Sequence, residues 1–108
     1  MPNPGYLKNY RPVLYYFRDA YGLSVNEIEF LFHVYDMTYF NYTYVVKNFR
    51  ASDRFASIKV PRLNSLGYIF VYLEKAHNRE RRFAISQKGK LLVTRFYRVL
   101  EGKEIVYR

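Results

Sequence analysis

The stretch Gly67-Tyr68-Ile69-Phe70-Val71-Tyr72-Leu73-Glu74-Lys75-Ala76-His77-Asn78-Arg79-Glu80-Arg81-Arg82-Phe83-Ala84-Ile85-Ser86 holds two runs of strand-forming residues around a polar centre. β-Branched and aromatic side chains suit a pleated, half-buried surface, and the charged segment 74–80 separates the two runs. The reading is a β-hairpin over 69–85 with a basic tip. On its upstream side Gly67 is a helix stop, and on its downstream side Ser86 is a helix N-cap, so the hairpin lies between two helices.

The upstream helix is expected over 53–66. Ala51-Ser52-Asp53 offers capping side chains, and Ala56, Val60, Leu63 and Leu66 make one apolar stripe. Arg54, Ser57, Lys59, Arg62 and Asn64 occupy its other faces. Pro61 lacks an amide hydrogen and crowds the carbonyl one turn back, which predicts a kink or a late start. The downstream helix is expected over 87–101, with Leu92, Val93, Phe96, Tyr97, Val99 and Leu100 on one wide arc and Lys88, Lys90, Arg95 and Arg98 elsewhere. An arc that wide can serve both the protomer's core and a second subunit.

Three further helices precede these. Val13, Tyr16, Phe17, Ala20 and Tyr21 recur at three- and four-residue steps, predicting a helix over 12–21 with Pro12 in its first turn and Gly22 as its stop. Ser24-Val25-Asn26-Glu27 has the spacing of a capping box and opens a helix over 24–36. His33 falls on the polar strip of that helix and reads as a solvent-exposed histidine. The segment 41–49 suits either a strand or a helix by composition, and the spacing of Tyr42, Val45, Val46 and Phe49 favours a short helix. The expected fold class is α+β, mostly helical, in one domain spanning 1–108.

Composition narrows the function. Half of the 108 residues are hydrophobic and 20% are aromatic, with 13 Tyr and 9 Phe, enough for a packed core. No Cys and two His exclude disulfides, thiolate chemistry and the Cys- or His-rich zinc motifs. There is no phosphate-binding glycine loop, no dinucleotide fingerprint and no nucleophilic triad with an available His base, so no catalytic residue, cofactor or metal is expected. No apolar run reaches bilayer length and the start lacks a basic-then-apolar order, so a cytoplasmic protein without membrane partners is the expectation. The formal net charge is +9, and fifteen of the 18 basic residues but five of the nine acidic ones lie within 47–108. A phosphate-rich partner would meet that half.

The order of helices, basic hairpin and final helix is that of a winged helix-turn-helix domain. Arg62-Leu63-Asn64-Ser65-Leu66-Gly67-Tyr68-Ile69 resembles the recognition-helix exit of the multiple-antibiotic-resistance regulator (MarR) family. Arg82-Phe83-Ala84-Ile85-Ser86-Gln87-Lys88-Gly89-Lys90 is similar to that family's passage from wing to helix. The resemblance implies a homodimeric transcriptional regulator in which terminal helices pack across a two-fold axis and each protomer reads one half-site of double-stranded DNA. A small-molecule effector, which such proteins often sense, has no support in these residues.

The chemistry of the residues agrees with that implication. Arg grips guanine O6 and N7, Asn pairs with adenine, and Ser and Lys hold phosphates, which makes Arg54, Ser57, Lys59, Arg62 and Asn64 the candidate reading set. Lys75, His77, Asn78, Arg79, Arg81 and Arg82 form the candidate wing contact, with Arg79 the preferred residue for a minor groove. Val13, Phe17, Leu91, Phe96 and Leu100 are the candidate dimer contacts. The alternative is a winged-helix protein-interaction module whose Tyr side chains anchor another protein. RNA is disfavoured, since no sheet with paired stacking aromatics is evident from the sequence.

Overall fold

The computed structural model describes residues 9–48, 53–73 and 81–103. These form five helices and one antiparallel hairpin in the order α1 (Tyr10–Tyr21), α2 (Val25–Val34), α3 (Tyr42–Asn48), α4 (Asp53–Ser65), β1 (Ile69–Leu73), β2 (Arg82–Ile85) and α5 (Gln87–Leu100). The expected class, α+β and mostly helical, is what forms. The basic hairpin tip, with Lys75, His77, Asn78 and Arg79, lies outside the described residues, as does Phe49.

Local chemistry sets most boundaries. Gly22 takes a left-handed φ of 67° and returns its amide to the Arg18 carbonyl, ending α1 where a side chain would be strained. Ser24 and Glu27 form the full capping box: the Ser24 hydroxyl accepts from the Glu27 amide, and the Glu27 carboxylate accepts from the Ser24 amide at 2.7 Å. The ambiguous segment is helical because Asn41 caps it, its side-chain oxygen accepting from the Tyr44 amide at 2.8 Å. α2 ends at Val34, short of the expected residue 36.

Pro61 does not interrupt α4. The proline sits on the exposed side of the helix, as does Ser57, so the carbonyl that loses its donor faces water. Ala56, Val60 and Leu63 are buried as their spacing requires, but Leu66 lies past the last helical turn and is 39% exposed.

The sheet has a member that strand propensity did not reveal. Phe40 exchanges both backbone hydrogen bonds with Phe83, each at 2.8 Å, so a one-residue bridge between α2 and α3 pairs with β2 on the side opposite β1. Two aromatic clusters fill the core on either side of α2. One packs Phe17, Phe32 and Tyr10 on Phe96; the other packs Phe30, Tyr42 and Phe83 around Phe40 or one another, mostly edge to face.

Candidate nucleic-acid interface

The positions of α4 and the hairpin are fixed by a latch at the foot of α5. Ser86 caps α5 by accepting from the Gly89 amide and donates its hydroxyl hydrogen to the Gly67 carbonyl. Lys88 donates to the Leu66 carbonyl at 2.7 Å, placing a cation at the end of α4 where the helix dipole is negative, and lies 4.5 Å from the centre of the Tyr68 ring. Burial, followed by the neighbouring Tyr21, holds the Tyr68 hydroxyl above its ordinary pKa, so it remains neutral. Gly89 has no substitute here: an added Cβ would collide with the Tyr68 carbonyl oxygen. Leu66, Gly67 and Tyr68 on one side and Ser86, Lys88 and Gly89 on the other thus close this latch.

The inner side of α4 is held by a buried carboxylate. Glu27 is fully buried; its Oε1 is engaged in the capping box, while Oε2 faces Arg62 Nε at 3.4 Å and Lys59 Nζ at 3.8 Å. Arg62 also donates to the Gly22 carbonyl at 2.8 Å. A buried carboxylate is tolerated where cations and hydrogen bonds compensate it, and here they tie α4 to the start of α2. Two of the five candidate reading residues, Lys59 and Arg62, are half-buried and face Glu27 of the same chain. The signal was present in the sequence: Glu27, Leu31 and Val34 share one helical stripe, which places a carboxylate on an apolar face.

Of the remaining candidates, Arg54 and Ser57 are exposed on the outer side of α4 and Asn64 is half-buried. That outer side is less polar than the candidate list suggests, because Ile58 and Pro61 share it. Arg81 and Arg82 are half-buried on the hairpin, Arg81 lying 5.8 Å from the centre of the Phe83 ring.

The outer face of the hairpin carries residues that charge-based reasoning missed. Along β1 Ile69 is buried and Val71 half-buried, while Phe70 and Tyr72 are exposed at 44% and 49%. Tyr72 is the extra residue of a β-bulge, since Val71 pairs with Phe83 and Leu73 with Arg82. Tyr39 stacks on Tyr72 at 5.8 Å with 21° between planes, and the Arg82 guanidinium lies 4.4 Å from the centre of the Tyr39 ring. Strand alternation was the available signal, because a half-exposed two-residue period in a Tyr- and Phe-rich strand must direct alternate rings outward.

The candidate dimer residues divide in the same way. Phe17, Phe96 and Leu100 are corrected: they are at most 2% exposed and fill the chain's own core, which leaves them no surface for a second copy. Val13 is half-buried, whereas Leu91 is 58% exposed. Among the described residues no helix is long and apolar enough to cross a membrane, and no group of three His, Asp or Glu could hold a metal ion. No protein-family description, no curated protein and no solved structure matches the chain.

Proposed function

We propose that the chain is a winged-helix domain that binds double-stranded DNA and regulates transcription as a cytoplasmic homodimer. The observation that supports this most directly is the join between α4 and the hairpin. The latch of Gly67, Tyr68, Ser86 and Gly89 and the Phe40 bridge hold a basic hairpin immediately after a helix whose outer side presents Arg54 and Ser57. A helix in the major groove and a hairpin on the neighbouring backbone would use both elements at once. The surplus of cations within 47–108 supplies the phosphate attraction. The dimer contact in this reading is carried by Leu91 of α5 and not by the buried phenylalanines.

The test is selection from random duplex DNA at several salt concentrations, with Arg54→Ala/Arg79→Ala beside the parent. Enrichment of an inverted repeat, a steep salt dependence and loss of binding in the variant are the expected results. Equal binding by the variant, or none by either protein, removes the proposal. Sedimentation of the parent and of Leu91→Asp checks the dimer separately, the variant being expected to run as a monomer.

A second reading has its own observation. Ile58 at 50% exposure, beside exposed Pro61, makes the outer side of α4 apolar enough to seat another protein. In that case binding of a protein partner survives Arg54→Ala/Arg79→Ala and fails on Ile58→Asp.

A further inference from the structure

The hairpin's outer face has a geometry that duplex recognition does not require. Phe40 pairs with Phe83 in antiparallel register, so the residue before it, Tyr39, lies opposite Ala84, and Ala84 in turn pairs with Phe70. Ala84 is small, which leaves room for rings on either side to lie over the sheet. The bulge at Tyr72 then brings its ring against Tyr39, and Arg82 covers Tyr39 in its turn. The result is a run of guanidinium, ring and ring, with Phe70 beside it, on a surface whose aromatic members are each about 40–50% exposed. Burial in the core explains Phe83 and Ile69 on the opposite face but not these residues.

Exposed rings in a row with a cation stacked among them are chemically suited to a planar, electron-rich partner carried on a negative chain. Aromatic side chains stack on any nucleobase, and Arg adds both stacking and attraction for phosphate. The sequence agrees in charge, since segment 69–85 contains Lys75, Arg79, Arg81 and Arg82 against Glu74 and Glu80. A paired base inside a duplex has both faces covered by its neighbours and cannot use such a surface. An unpaired base can.

We propose that Tyr39, Phe70, Tyr72 and Arg82 form a stacking platform for unpaired bases of a single-stranded nucleic-acid segment. This deepens the nucleic-acid reading above and rests on it for the nature of the partner, but not on duplex binding by α4. The platform gives the domain a second mode, in which an overhang, a frayed end or a free single strand lies across the hairpin face.

The chain contains no Trp, so Tyr72→Trp installs one fluorescent reporter in the platform. Titration with oligo(dT) is expected to quench the introduced indole, because a stacked base lies against it, whereas heparin, a polyanion without bases, binds without quenching. In anisotropy measurements Tyr72→Leu is expected to bind oligo(dT) about tenfold more weakly, as loss of one base–aromatic stack requires. Tyr72→Phe, which keeps the ring, retains parental affinity and controls for folding. Binding of blunt duplex changes by less than about twofold in either variant. No quenching on binding, parental affinity in Tyr72→Leu, or no binding of oligo(dT) overturns the platform. Quenching by oligo(dT) with no duplex binding overturns the regulator reading alone.

Discussion

The inner side of α4 and the outer face of the hairpin adjoin in the chain yet use their side chains in opposite ways. On α4, Lys59 and Arg62 are residues expected to face a polyanion, and they turn inward to Glu27 and the Gly22 carbonyl. On the hairpin, the apolar rings of Phe70 and Tyr72 turn outward, and Tyr39 from the segment before α3 stacks on Tyr72. Residue type alone thus misassigns both surfaces. What decides each is the period of its element together with one neighbour: a carboxylate on the apolar stripe of α2 draws cations in, and a bulge in β1 directs a ring out.

The largest effect that would break this contrast comes from Glu27. Glu27→Ala removes the capping-box acceptor and leaves Arg62 and Lys59 without their buried partner. Urea denaturation is expected to show a loss of about 3 kcal/mol, at the low end for a broken buried pair because both cations remain partly hydrated. A loss below about 1 kcal/mol would mean that the cations are not held inward in solution.

Gly89→Ala should rank beside it. Its Cβ would meet a backbone carbonyl that no side-chain rotation can move, so α5 must shift away from Tyr68, at a cost of about 3 kcal/mol. If thermal melting shows the variant unchanged, the latch is looser than its geometry implies.

A paired comparison sharpens the contrast within α4 itself. Arg62→Ala is expected to lower stability by about 2 kcal/mol, because the charge facing buried Glu27 and the hydrogen bond to the Gly22 carbonyl are lost together. Arg54→Ala, on the exposed side, should stay within about 0.5 kcal/mol. Equal effects on stability would erase the distinction between the two sides.

An effect smaller than that of Arg62→Ala is expected at α1. Tyr10 donates to Glu29 at 3.0 Å, and burial followed by that carboxylate raises its pKa above the ordinary value of 10.0. The native state therefore holds the proton more tightly than the unfolded chain does. This contribution is complete below pH 10 and is lost as pH rises above it towards the folded pKa. Tyr10→Phe should cost about 1 kcal/mol near neutrality and flatten the alkaline arm of the stability curve.

Much of the architecture was legible in the residues. The Ser24–Glu27 box, the Gly22 stop, the Ser86 cap and the two strand runs each have local causes, and each element formed within a few residues of its expected place. The Phe40 bridge was not legible, because a single paired residue has no periodicity and its partner lies across α3 and α4. The candidate site was legible only in part. Arg54 and Ser57 are where helical spacing puts them, whereas the direction of Arg62 depends on Glu27, a tertiary neighbour in another helix. Phe17, Phe96 and Leu100 were assigned to a dimer because an apolar arc does not say which body covers it. Here α1 and α2 of the same chain cover that arc.

The Phe40–Phe83 bridge also bears on how the chain acquires its structure. Its two partners are joined only after the intervening helices and hairpin have brought the chain back on itself, so loop-closure entropy delays the contact during folding. Once made, it ties the segment before α3 to the strand before α5, and neither can open without the other. The amides of Phe40 and Phe83 should therefore exchange with solvent deuterium together and at the rate set by global unfolding, making this one-residue pairing a probe of the cooperativity of the whole domain.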